Sequence, residues 1–381
     1  MLSKWPRRAL VLIIVFALVS RVYNLQYPAT YYFDEVYHAM TAKLVAHNDQ
    51  RAFEWTHGET IEPGTYVDWL HPPLAKYTQA MAIRAVGETA VGWRLSSAIF
   101  GVGVVLLTAL LTQRLFAKPW VSVLAAGLTA LDGLLLAQSR IAMNDIHVVF
   151  GFLLTLNAYV WYRQRPAYWR LLVVGLTIGM TIATKWSGAF VWAVVLLFEA
   201  SALVWVMMQE WSSSHQRRAL IMKSTMQLLL RAVALVIVPL LIYVMSYMQM
   251  FLQGKDFAYF AELHRQIFWY QFSLEATHPY QSRPMEWVLD LRPTWYYVDY
   301  VDNGTRSDIY NTGNPFVFIF GLLAASASTV FVFHQLYHKY QGKKSHKNTA
   351  LSKKRSVPTR IATLPLALSS MKVPPSELFS L

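Results

Sequence analysis

The sequence contains no cysteine, so structural disulfides, thiolate catalysis and cysteine-ligated metals are excluded together. Charge is also scarce. Charged residues make up 14% of the 381 positions against 55% hydrophobic, too few to coat an ordinary soluble surface, so lipid must cover part of the chain. No Gly-x-Gly-x-x-Gly fingerprint and no internal repeat occurs. Acidic residues are outnumbered 21 to 34, for a net charge of +13. In a soluble protein that excess would suggest nucleic acid. Beside long apolar runs it indicates basic residues facing the cytoplasmic leaflet, and no nucleic-acid partner is expected.

Apolar runs near or at the length needed to cross a hydrocarbon layer lie at Ala9 to Val22, Leu95 to Leu115, Trp120 to Ala137 and Ile146 to Tyr162. Four more lie at Leu171 to Thr184, Trp186 to Met208, Ala232 to Leu252 and Pro315 to Tyr337, which makes about eight. The first follows Lys4, Arg7 and Arg8 but lacks a small-residue cleavage site, and it is expected to be a retained anchor. With the amino terminus inside, the cytoplasmic segments hold well over half of the basic residues and only two acids, Glu210 and Glu377. Both termini are therefore expected in the cytoplasm and the chain in the plasma membrane. Two long segments, about 23–94 and 253–314, fall on the outer side and carry most of the acids. Turn signals at Glu62-Pro63-Gly64 and Pro72-Pro73 predict short surface helices and loops in the first. Residues 338–381 are basic and Ser-rich, which predicts a disordered tail after a membrane domain spanning 1–337.

The outer segments hold the residues that can do chemistry. Just past the first run stands Tyr31-Tyr32-Phe33-Asp34-Glu35-Val36-Tyr37-His38, with two adjacent carboxylates among aromatics. Burial there would raise a carboxyl pKa, and such a group can act as general base toward a hydroxyl. Then comes Asp68-Trp69-Leu70-His71-Pro72-Pro73-Leu74-Ala75-Lys76, where the prolines place His71 and Lys76 at a helix start. Arg94, Arg140 with Asp145, and Lys185 stand at outer ends of later runs. Each is individually a membrane-edge anchor in its simplest reading. Together they make a plausible phosphate pocket, because fixed cations stabilise charge developing on a leaving group. Asp34, Glu35, His38 and His71 could ligate a divalent cation, but their spacing matches no metal motif, so no cofactor is required.

The order of these pieces resembles the dolichyl-phosphate-mannose protein O-mannosyltransferases and their bacterial relatives, which have the GT-C glycosyltransferase fold. The matching residues are Phe33-Asp34-Glu35-Val36, His71-Pro72-Pro73-Leu74-Ala75-Lys76, Arg94-Leu95, Gln138-Ser139-Arg140 with Asp145, Thr184-Lys185, His278-Pro279-Tyr280 and Gly313-Asn314-Pro315. The resemblance implies an all-α polytopic membrane protein that moves a mannose-type sugar from a polyprenyl phosphate to protein Ser or Thr hydroxyls, by direct displacement with inversion on the extracytoplasmic face. It implies Asp34 as catalytic base, Glu35 as its support and Arg94 as a ligand of the lipid phosphate, a role extended here to Arg140 and Lys185. His38, His71, Lys76, Asp145 and His278 complete the candidates. The second outer segment is too short for the β-rich domain of eukaryotic members, and one span rather than several follows Gly313-Asn314-Pro315. A GT-C transferase acting on a lipid or glycan, and a non-catalytic membrane protein or transporter, remain the alternatives.

Overall fold

The structure is a computed structural model that describes residues 4–55, 61–210, 217–277, 281–300 and 304–355. Its helices are α1 Lys4–Val22, α2 Glu35–Ala46, α3 Leu74–Val86, α4 Ala90–Phe116, α5 Pro119–Ala130, α6 Gly133–Gln138, α7 Asp145–Gln164 and α8 Tyr168–Ile182. They continue with α9 Ala189–Glu210, α10 Arg217–Ala232, α11 Val238–Ser246, α12 Met248–Leu252, α13 Phe257–Ser273, α14 Pro284–Leu289 and α15 Pro315–Arg355. The chain forms a multi-pass membrane protein. Among the described residues, four stretches are long and apolar enough to cross a bilayer: Ala90–Phe116, Trp186–Trp205, Thr225–Ser246 and Pro315–Gln335.

Two of the other apolar runs are broken or short for physical reasons. The run from Trp120 to Ala137 is two helices, because the Asp132 carboxylate turns back to accept the Leu135 N–H at 2.9 Å and caps α6. At 1.5 Å per residue the 12 residues of α5 and the 15 of α8 reach only about 18 and 23 Å, short of a hydrocarbon layer of about 30 Å. The helix that reaches Ser246 begins at Arg217 and passes through a π-helical turn, Val233–Ile237. Pro239 follows that turn and has no N–H for a regular helical bond, which favours the looser turn.

The described residues within 4–283 and 292–313 form one body. In it α1, α5 and α7 pack on α4, α7 packs on α8, and α8 lies against α11 and the π turn. Gly175 of α8 makes that last approach, since a Cβ there would stand 1.8 Å from the Ala234 carbonyl oxygen. A buried apolar cluster from α2, α3, α11, α12 and α13 includes Met40, Leu44, Ile83, Met250, Leu263 and Ile267. Each such side chain contributes about 1.5–3 kcal/mol on burial, and the cluster anchors the segments on either side of α2 that build the site.

The same body contains an antiparallel hairpin, β1 Thr294–Tyr300 with β2 Arg306–Asn311, pairing Trp295 with Tyr310 and Val298 with Asp308. This corrects the all-α expectation. Aromatic and β-branched residues fill β1, cross-strand rings stack (Trp295 on Tyr310, centroids 5.9 Å apart), and Gly304 takes a positive φ of 80° before β2.

A second body holds α14 and α15. The 41-residue α15 continues through residues 338–355, so the tail is helical there, contrary to expectation; residues 356–381 lie outside the described residues. Its apolar stretch exposes Phe316, Phe320 and Phe331, the surface a lipid phase would cover.

Candidate active site

Asp34 and Glu35 are neighbours that point into different surroundings. Phe33 adopts a left-handed φ of 49°, Asp34 is the N-cap of α2, and Glu35 is its first residue. Glu35 is fully buried in a two-pronged ion pair, with Arg94 Nε and Nη2 each donating at 2.7 Å to one carboxylate oxygen. The Ala142 N–H donates to it at 3.0 Å. Burial drives the Glu35 carboxyl upward, and Arg94 with the N–H groups of Ala142 and Tyr32 opposes that rise.

Arg94 is equally buried, and its remaining donors go to the carbonyls of Leu25 (3.1 Å), Pro28 (2.7 Å) and Thr30 (3.0 Å). The Tyr32 ring lies 4.9 Å from its guanidinium carbon. Every donor is thus committed, and the side chain faces Glu35 rather than an open site for a phosphate. Arg140 is spent in a similar way. Its guanidinium donates to the carbonyls of Ser20, Arg21, Tyr23 and Asn24 at 2.8–3.2 Å, capping the open end of α1. Of the three expected phosphate ligands, Lys185 alone keeps a part-exposed ammonium opposite another side chain, paired with Asp145 Oδ1 at 2.8 Å.

Asp34 makes no capping hydrogen bond and lines an open pocket of about 520 Å³ together with Tyr37, His38, Tyr66, Asp68, His71 and Tyr270. Burial pushes its carboxyl above the ordinary 3.8; His38 and His71 pull it back, while Asp145 and Asp68 add to the rise. The Tyr37 and Tyr66 rings stack 5.5 Å apart. From the other long segment, Tyr296 of β1 stacks on Phe33 at 4.3 Å and its hydroxyl accepts from Gln138 Nε2 at 2.7 Å.

Asp68 organises the pocket floor. Its N–H donates to Thr41 Oγ1 of α2 at 2.7 Å, its Oδ1 lies 2.8 Å from His71 Nδ1, and its Oδ2 takes the Lys76 ammonium. His38 Nδ1 stands 2.7 Å from the same Oδ2 but outside hydrogen-bond geometry. Burial works against the Asp68 carboxylate, yet His71, Lys76 and His38 hold it well below the ordinary range. Burial pushes the His38 ring down. The ligand atoms of His38, Asp68 and His71 fall within 4.8 Å of one another, close enough for a metal ion. Lys76 already supplies a positive charge at that carboxylate, so a metal would have to displace it. The alternative metal grouping that included Glu35 is not assembled, because Arg94 takes that carboxylate.

The structure thus gathers Asp34, His38, His71 and Lys76 around one pocket and its floor, with Asp145 exerting its charge on Asp34. It separates Arg94 and Arg140 from it, and His278 lies outside the described residues. Asp68, Tyr37, Tyr66 and Tyr296 were missed as site residues. The signal for Asp68 was its place three residues before His71, which lets one carboxylate hold the ring.

The sequence profile of the dolichyl-phosphate-mannose-protein mannosyltransferase family matches residues 11–252, and that of the C-terminal four-transmembrane region of protein-O-mannosyltransferase matches residues 256–363. A polyprenol-phosphate-mannose--protein mannosyltransferase of Mycolicibacterium smegmatis is 27% identical over 352 residues, covering 78% of this chain and 65% of the relative. Its counterpart in Corynebacterium glutamicum is 25% identical over 375 residues, covering 84% and 70%. The structure of the S. cerevisiae protein O-mannosyltransferase Pmt1-Pmt2 complex bound to the sugar donor is similar in fold, with a TM-score of 0.51 and 22% identity over 66% of this chain and 35% of that one. The chain therefore spans about two-thirds of the length of the bacterial relatives.

Proposed function

As the chain belongs to the dolichyl-phosphate-mannose-protein mannosyltransferase family, we propose that it transfers mannose from a polyprenyl phosphate to Ser or Thr hydroxyls of proteins on the extracytoplasmic face. The observation that carries this reading is the division of labour between adjacent carboxylates: Glu35 is locked to Arg94, whereas Asp34 stands uncapped on an open aromatic pocket. In the proposed step the acceptor oxygen forms a bond to the sugar C1 as the bond from C1 to the phosphate oxygen breaks, with inversion. Asp34 takes the hydroxyl proton and the polyprenyl phosphate leaves with the bonding pair. The departing polyprenyl phosphate, a phosphate monoester, needs no proton to leave, so a fixed cation suffices to stabilise it, and Lys185 is the candidate that remains reachable. The divalent cation is not needed in this scheme. The extracytoplasmic placement rests on the excess of Lys and Arg in segments such as Arg163 to Arg170 and on the acids of the two long outer segments.

Purified protein incubated with polyprenyl-phosphate-[14C]mannose and a Ser/Thr peptide tests the proposal. Asp34→Asn keeps shape but loses basicity, and turnover should fall by about 10² to 10⁴ without loss of folding. Wild-type turnover in that variant, or label entering lipid in place of peptide, would overturn the assignment.

A further inference from the structure

The Asp68 cluster holds one polar atom that the proposed step leaves unused. A carboxylate only accepts, so the 2.8 Å contact between Asp68 Oδ1 and His71 Nδ1 places the ring hydrogen on Nδ1. In the neutral ring Nε2 is then a bare acceptor. Among the described residues nothing donates to it, and His71 lines the open pocket with its side chain 22% exposed. Asp68 cannot swing away to release this tautomer. Its other oxygen is held by the buried Lys76 ammonium and its backbone by Thr41.

The surroundings define what such an acceptor meets. Tyr37 and Tyr66, stacked and 41% and 49% exposed, offer apolar ring faces on the same pocket. An aromatic face beside a fixed hydrogen-bond acceptor suits a hexose, which presents C–H groups on one side and hydroxyl donors at its edge.

We propose that His71 Nε2 accepts a hydrogen bond from a hydroxyl of the donor's hexose, so that the Asp68 and His71 pair is a sugar-recognition element with Tyr37 and Tyr66 as its platform. This rests on the transferase reading above. His71 positions the sugar, while Asp34 remains the group that receives the acceptor's proton. The fixed tautomer matters because an imidazole hydrogen at Nε2 would meet that hydroxyl as a second donor and force it to turn.

The test measures binding of the full chain in nanodiscs to two ligands, polyprenyl-phosphate-mannose and the same polyprenyl phosphate without sugar. Wild type should prefer the mannosylated lipid. His71→Ala should shrink that preference roughly five- to ten-fold while leaving the sugar-free affinity unchanged, the loss expected for one hydrogen bond. His71→Gln, whose amide oxygen can accept, should retain part of it. A second measurement uses wild type with donor analogues each lacking one hydroxyl: one position should lose a similar factor. Undiminished preference in His71→Ala, equal losses for both lipids, or indifference to every hydroxyl would overturn the proposal. A wild-type protein that shows no preference at all would instead sink the transferase reading on which it stands.

Discussion

The buried pair of Glu35 and Arg94 makes a strong quantitative claim, because the family resemblance assigned Arg94 to the donor phosphate and the geometry assigns it to the fold. Both side chains are fully inaccessible, and Arg94 also holds three carbonyls of the 25–30 loop. Replacing Arg94 by Met keeps length and leaves Glu35 as a buried carboxylate without its cation, a loss of about 3–5 kcal/mol. Removing both charges, as in Glu35→Gln with Arg94→Met, restores part of that loss, and the double-mutant cycle should show a coupling on the order of 2 kcal/mol. Thermal unfolding of purified protein, read by tryptophan fluorescence in one detergent throughout, measures it. The expected result is a large drop in melting temperature for Arg94→Met and partial recovery in the double variant. If Arg94→Met melted like wild type and only its donor affinity fell, the resting geometry would be misleading and the phosphate role would return.

Three further outcomes follow from the site. Because burial lifts the Asp34 carboxyl above 3.8, the base form is lost as pH falls through that raised value, so the acid limb of kcat/KM should lie above 3.8 and vanish from any residual activity of Asp34→Asn; a limb at or below 3.8 would refute this. Lys185→Ala should lower kcat about 10²- to 10³-fold with little change in melting, since its pair with Asp145 is part-exposed; unchanged turnover would remove it as the phosphate's cation. In this cysteine-free chain, Gln50→Cys should react with an impermeant maleimide in intact cells and Pro166→Cys should not, both positions being exposed on the protein; labelling of both would overturn the proposed sidedness.

Much of the helical frame was legible because apolar runs of span length leave few other options in lipid. What the runs could not reveal was interruption by a single polar side chain. Asp132 sits inside an apolar stretch and, by capping α6, ends one helix and starts another. The hairpin was hidden for the opposite reason. The cluster at Trp295, Tyr296 and Tyr297 reads equally well as an interfacial aromatic belt, and only the pairing with Arg306–Asn311 makes it a strand.

The site divides along the same line between local and distant information. His71 and Lys76 are set by a proline-defined helix start, and the carboxylate that holds both lies within eight residues of them, so one short segment encodes most of the pocket floor. The partners of Arg94 lie 59 to 69 positions away and those of Arg140 116 to 120 away, where sequence order carries no geometry. Both arginines were judged by charge, and charge alone favours a phosphate. Their actual acceptors are mostly neutral carbonyls left open by the turn after α1, which a planar five-donor guanidinium satisfies better than any ammonium could. Among the described residues the Lys185 ammonium makes one hydrogen bond, to Asp145, and a bound phosphate could take that ammonium without breaking a carbonyl cap. Arginine in this fold therefore secures the frame around the carboxylates, and exchangeable positive charge near the pocket falls to lysine.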